Sequence, residues 1–203
     1  MKSYTYRFYE DNYWQSIDNT DGNQYIKNNK WDVISLQQGS PYSGDLESYE
    51  DLEPLIGLVK NINNDESTDL IWNMTWAYDS WYESENFAKY NYNTETMYKS
   101  IIKCVKEYVV NNDDIKTIIP SGTSIQNGRT SSYNQDFTRD GFHMSLDIGR
   151  YIVALMAIKT LTNADLSKLT YKPKIVSDEE MKIAIESVNN AFKRPLKVTK
   201  SRL

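Results

Sequence analysis

Cysteine and histidine are nearly absent from this chain of 203 residues, which has one of each. A lone Cys104 can form neither a disulfide framework nor a thiolate metal site. A lone His143 excludes a multi-histidine metal centre, while carboxylate sites stay open. No apolar run approaches the ~20 residues that cross a bilayer, so no membrane partnership is expected. Basic charge is short as well. The formal net charge is -5 and the sequence pI ≈ 5.0, which argues against nucleic acid or an anionic membrane surface as the main partner. No apolar signal core follows Met1-Lys2-Ser3-Tyr4, so the sequence as it stands reads as cytoplasmic; a signal ahead of Met1 would reverse that expectation. Phenylalanine is scarce beside its polar relatives, five Phe against sixteen Tyr and five Trp. Amphipathic rings suit sugar-binding clefts, and equally suit ordinary packing with the polar tip at the surface.

The stretch Thr138-Arg139-Asp140-Gly141-Phe142-His143-Met144-Ser145 holds that single histidine, with a carboxylate three residues before it. Loop-borne Asp and His at this spacing can supply the orienting and general-base members of a hydrolase triad, His143 taking a hydroxyl proton and Asp140 holding the other ring nitrogen. The same residues also suit a loop histidine whose neighbouring aspartate caps a turn.

Taken in order, Tyr4–Tyr9 and Tyr13–Ile17 read as a peripheral β-hairpin over 1–18, turning at Glu10-Asp11-Asn12. A short helix is expected after Asn19-Thr20-Asp21-Gly22. Asp32–Leu36 reads as a buried strand opening into Gln37-Gln38-Gly39-Ser40-Pro41. Leu52, Leu55, Ile56, Val59 and Ile62 recur at helical spacing. Leu70–Thr75 is the next strand, followed by the aromatic run Trp76–Tyr82. A long helix is predicted from Thr94, with Met97, Ile101, Cys104, Val105 and Tyr108 on one face. Ile115–Ile119 is a strand stopped by Pro120-Ser121-Gly122. A helix pattern starting at Ser145 places Leu146, Ile148, Ile152, Leu155 and Ile158 together. Ser177-Asp178-Glu179-Glu180 caps a last helix through Ile185, Val188 and Phe192. Lysines and arginines from Lys193 to Arg202 look like a solvated tail, over 195–203.

Strands alternating with helices imply an α/β fold with a mainly parallel sheet and a single domain over 1–203. Ligands in such folds bind outside the carboxyl ends of the strands. The loops at Gln37–Ser40, Thr75–Tyr78 and Pro120–Thr123 leave from those ends and are expected to converge with the Asp-His loop. Gln38 offers an amide donor for an oxyanion, or a plain polar strand exit. Ser40, Trp76, Tyr78 and Arg129 are candidate substrate contacts; the aromatic rings suit lid packing as well, and Arg129 a structural ion pair. No Gly-x-Ser-x-Gly elbow occurs. Ser40, Ser43 and Ser121 are loop serines of the right type for a nucleophile, and Cys104 falls mid-helix, buried and inert.

The series Trp31-Asp32-Val33-Ile34-Ser35-Leu36-Gln37-Gln38-Gly39-Ser40-Pro41, Thr75-Trp76-Ala77-Tyr78, Ile119-Pro120-Ser121-Gly122-Thr123, Thr138-Arg139-Asp140-Gly141-Phe142-His143 and Gly149-Arg150-Tyr151 resembles a bacterial branch of the SGNH/GDSL hydrolases described as a domain of unknown function. The resemblance implies a three-layer αβα sandwich, SGNH-hydrolase or flavodoxin-like, and cofactor-free serine ester hydrolysis. It also implies a small-molecule or carbohydrate ester as substrate, often an acetylated sugar. It assigns Asp140 and His143 to the family's Asp-x-x-His block and Gln38 to an oxyanion-hole amide. The family's opening Gly-Asn-Ser-Phe-Ser type block, which carries the nucleophile, has no counterpart here. The expectation is therefore a chain without the first strands and the nucleophile, prone to self-association through an uncovered sheet edge. A non-catalytic carbohydrate-binding or scaffold protein of that fold is the alternative. A relocated nucleophile at Ser40 or Ser43 is the third reading.

Overall fold

The computed structural model describes residues 4–10, 13–133 and 135–203. The chain divides into two compact units, one of residues 1–34 with 51–69 and one of 35–50 with 70–203.

In the first unit β1 (Tyr4–Glu10) and β2 (Tyr13–Thr20) pair antiparallel, with Arg7 opposite Ser16 and Tyr9 opposite Trp14. The Asp11-Asn12 turn expected between them lies outside the described residues. Helix α1 (Gly22–Lys27) starts where Asp21 accepts the Asn23 N–H at 3.0 Å, the N-cap bond that Asp makes best. Trp31 closes this segment by donating its indole N–H to the Ile26 carbonyl. Helix α2 (Leu52–Asn63) ends at Asn64, whose φ of 49° is left-handed and turns its N–H onto the Lys60 carbonyl. Its buried stripe is Leu52, Ile56 and Val59, narrower than the pattern predicts, because Leu55 is 41 % exposed.

In the second unit a small parallel sheet runs in the order β3-β4-β5, from β3 (Val33–Leu36), β4 (Asp69–Asn73) and β5 (Ile115–Ile119); the first residues of β3 and β4 belong to the other unit. Asn73 lies opposite Ile119. A three-stranded parallel sheet among helices fits the α/β class. β4 is the apolar centre, with Leu70, Ile71 and Trp72 buried. β3 is half-buried with Ser35 exposed, which corrects its reading as a buried strand: it is an end strand, covered less than β4. After the short α3 (Glu85–Ala88), α4 (Thr94–Tyr108) buries Met97, Ile101, Cys104 and Val105, as its periodicity predicts. Burial, with the Asp45 charge adding, pushes the Cys104 thiol up to about 11. That leaves it protonated and inert.

Helix α5 (Ser121–Gly128) begins inside the loop that the sequence predicts at Pro120–Thr123, and the reason is chemical. Its sequence Ser-Gly-Thr-Ser-Ile-Gln-Asn-Gly has no apolar stripe, yet seven of the eight residues are buried. Small residues let neighbours come close: a Cβ on Gly122 would stand 2.1 Å from the Thr75 carbonyl oxygen. Buried hydroxyls are bonded, Ser124 to the Ser121 carbonyl and Thr123 to Tyr98 and the Pro195 carbonyl.

Helix α6 (Ile148–Thr162) starts three residues later than its pattern suggests. Ser145 is held by its N–H to the Phe137 carbonyl, so the helix forms only after the chain leaves the loop, and Leu146 stands outside it, 55 % exposed. Ile158, expected on the same buried face, is 48 % exposed. Helix α7 (Asp178–Lys193) has the predicted capping box between Ser177 and Glu180, but its buried face is Ile183, Ala184, Ser187, Val188 and Ala191, and Phe192 is 38 % exposed. α5, α6 and α7 pack on one another. The C-terminal segment is pinned rather than free in solvent: Thr199 N–H donates to Asn127, Ser201 N–H to Thr130, and Arg202 N–H to Glu186. No helix among the described residues is long and apolar enough to cross a membrane.

The capping box makes a measurable claim. Ser177→Ala removes one of its two bonds and should cost about 1 kcal/mol, seen as a lower urea midpoint with unchanged denaturant slope.

Candidate functional site

The Asp-His loop is a tight turn closed at its base by an antiparallel bridge between Thr138 and Met144. The Arg139 N–H donates to the His143 carbonyl at 2.9 Å. At its tip Gly141 has φ +91°, and a Cβ there would strike the Tyr82 Cβ at 2.5 Å and its ring at 2.7 Å, so both backbone and space require glycine. Asp140 does two things at once. One carboxylate oxygen accepts the backbone N–H groups of His143 at 2.8 Å and Phe142 at 3.3 Å, and the other faces the His143 Nδ1 at 2.7 Å. It therefore caps the turn and orients the ring, and the two readings of the motif describe one side chain.

Partial desolvation acts to raise the Asp140 carboxyl, but the His143 N–H, the imidazole and the Phe142 N–H outweigh it and hold the group below its usual range. A charged acceptor at Nδ1 fixes the neutral ring as the Nδ1–H tautomer and leaves Nε2 as the basic nitrogen. The His143 side chain is 53 % exposed and that of Asp140 39 %. The Phe142 ring lies against the imidazole with centroids 3.8 Å apart.

Beneath the loop lies a buried ion pair that gives Arg129 the structural role its sequence reading also allowed; the partner is the residue that reading missed. Asp79, 6 % exposed, takes the Arg129 guanidinium at 2.5 Å on one oxygen and the Thr138 hydroxyl on the other. Thr138 in turn accepts the Gly141 N–H at 3.1 Å, and the Asp79 N–H donates to the Gly141 carbonyl at 2.8 Å. Arg129 also donates to the Ala77 carbonyl and to Gln126. Burial lowers its pKa, and Asp79 opposes that. The available signal was a carboxylate set inside the aromatic run Trp76–Tyr82, where a buried charge demands a partner.

The three loops at the strand ends do meet. Ser40 bonds the Tyr78 hydroxyl at 3.0 Å, Gln37 accepts from Asn73, Ser121 donates to Asn73, and Gly122 N–H reaches the Met74 carbonyl. Trp76 joins them to the Asp-His loop through its indole N–H on the Phe142 carbonyl at 2.6 Å. The predicted contact residues are nonetheless committed elsewhere. Gln38 gives its amide N–H groups to the Ser48 carbonyl and hydroxyl and accepts the Gly39 N–H, which leaves no donor for an oxyanion. Tyr78 is buried, packed on Tyr82, Phe87 and Phe142, so it supports the loop rather than walling an open pocket. Arg129 lines a polar cavity of about 360 Å³ with Gln126, Tyr133 and Asp136, its charge already met by Asp79. Ser43 is buried and bonded to the Ser40 carbonyl, and Ser121 is buried and bonded to Asn73. Among the described residues no serine or threonine hydroxyl bonds the His143 ring, and no cluster of three or more His, Cys, Asp and Glu could hold a metal.

A family model described as a domain of unknown function (DUF4886) matches residues 1–191. The crystal structure of a DUF4886 family protein from Bacteroides uniformis ATCC 8492 is similar to this chain with a TM-score of 0.90 and 36% sequence identity, over 97% of this chain and 76% of that one. No curated protein matches. Both descriptions stop at the family and assign no reaction.

Two measurements check this geometry. Imidazole ¹⁵N shifts, free of assignment because the chain has one histidine, should show the Nδ1–H tautomer in the neutral ring, with the preference lost in Asp140→Asn. Asp79→Ala strands a buried guanidinium and should cost about 3–5 kcal/mol in urea unfolding.

Proposed function

The chain belongs to the DUF4886 family, and from that premise we propose that Asp140 and His143 form the orienting and base members of a serine-type ester hydrolase centre of the SGNH/GDSL kind. The substrate class is an acylated, above all acetylated, carbohydrate. The observation that carries this reading is the 2.7 Å Nδ1 to carboxylate contact on a half-exposed ring. An orienter bonded to one ring nitrogen leaves the other to work on substrate.

In the reaction Nε2 accepts the proton of an attacking hydroxyl as its oxygen adds to the ester carbonyl, and Asp140 stabilises the imidazolium that results. Collapse of the tetrahedral adduct expels the sugar oxygen, which takes the proton back from Nε2. Water then repeats the sequence and releases the acid. Ser43 and Ser121 donate their hydroxyls to the Ser40 carbonyl and to Asn73, and Ser40 shares a bond with the Tyr78 hydroxyl, so none of the three is bonded to the His143 ring. The three-layer sandwich belongs to the same reading; the parallel order of β3, β4 and β5 with the site at their carboxyl ends supports it.

A base without a hydroxyl at hand should turn over p-nitrophenyl acetate slowly, and methanol offered as a surrogate nucleophile should raise p-nitrophenol release. His143→Ala should abolish both rates, since a positioned base contributes roughly 10²–10⁴-fold, and Ser40→Ala should leave them unchanged. Rates indifferent to His143→Ala would return the chain to a non-catalytic role. A rate abolished by Ser40→Ala would instead establish that serine as the nucleophile.

A further inference from the structure

Past the Asp-His loop an apolar trough runs along α6, outside the ester chemistry. Arg150, Ala154 and Ile158 recur every four residues and so form one row on the helix, with Leu146 just ahead of it. The segment 169–173 makes the facing wall, tied down where the Tyr151 hydroxyl donates to the Tyr171 carbonyl at 2.9 Å. The hollow between them has a volume of about 260 Å³, with Leu169 and Tyr171 on its far side. Its apolar lips stand in water, Ile158 at 48 % exposure, Leu146 at 55 % and Tyr171 at 71 %. Small-molecule sites are concave and mostly apolar, with a few placed polar groups, and the hollow has that make-up.

Charge decides what fits. Two charged side chains line the trough, Asp147 and Arg150. The Asp147 carboxylate accepts the Ser145 hydroxyl. Among the described residues the Arg150 guanidinium makes no hydrogen bond or ion pair, and its backbone N–H alone is engaged, on the Ser145 carbonyl. Arg150 also occupies the first turn of a 15-residue helix, where the dipole favours an anion. From Arg150 to Ile158 the helix rises ~12 Å, enough for a medium alkyl chain laid along the row.

We infer that this trough binds an aliphatic carboxylate of roughly eight carbons, the length that a ~12 Å row holds, with its head on Arg150 and its tail along Ala154 and Ile158. The site is independent of the hydrolase reading. Calorimetric titration of the whole chain with octanoate, octanol and butyrate tests it, with Arg150→Gln and Ile158→Asp as variants at exposed positions whose fold is checked by circular dichroism. Octanoate should bind saturably, about tenfold more tightly than octanol or butyrate, the margin of one charge-assisted contact. Arg150→Gln should erase the preference over octanol, and Ile158→Asp should abolish binding of both. Absence of saturable octanoate binding, or binding that neither variant alters, overturns the inference. So does a dimer that Ile158→Asp dissolves and octanoate does not, which would make the trough a contact between copies.

Discussion

One buried carboxylate holds the candidate site together. A charge with the exposure of Asp79 cannot persist in a protein interior without a counter-ion and hydrogen bonds, and it finds both. Arg129 arrives at the end of α5, Thr138 from the base of the Asp-His loop, and the backbone at Gly141 closes the circuit. Three segments distant in sequence are thereby fixed by a single ion. The position of His143 follows from that arrangement, since the ring itself is half in water and gains little restraint from burial.

The division of labour suits reactive chemistry. An exposed Asp140–His143 contact adds little to stability, so its worth lies in setting tautomer and direction. The bracing comes from below, where the ion pair, the Trp76 indole bond and the stack of Tyr78, Tyr82 and Phe142 tie the loop to the rest of the unit. Preorganised groups spare a reaction the cost of ordering them. The exposed ring faces solvent while its frame is buried.

Much of the fold was legible in the sequence because local signals carried it. β4, β5 and α4 have uninterrupted patterns, and the Ser177–Glu180 box states the start of α7 outright. Asp140 and His143 were legible for the same reason, since three residues of spacing are enough to form their contact. What stayed hidden depends on distant partners. Asp79 and Thr138 are 59 residues apart, and nothing in either neighbourhood specifies the other. Gln38 and Ser40 looked available because the sequence does not show that Ser48 and Tyr78 engage them. Leu146 looked like the first residue of a helix face because the bond that holds Ser145 back comes from Phe137 across the loop.

Helix α5 carries a thermodynamic consequence. Most buried helices contribute methylenes, whose exposure on unfolding raises the heat capacity, whereas hydroxyl, amide and peptide groups lower it. α5 buries mostly the latter, so its contribution to the curvature of stability with temperature is small. Its cohesion is directional, made of bonds that need particular lengths, and Gly122 and Gly128 leave no room to substitute bulk for geometry. An apolar core can be repacked with other side chains of similar volume, but this segment has few alternatives. The part of the chain that looks least structured in composition is therefore among the least free to drift.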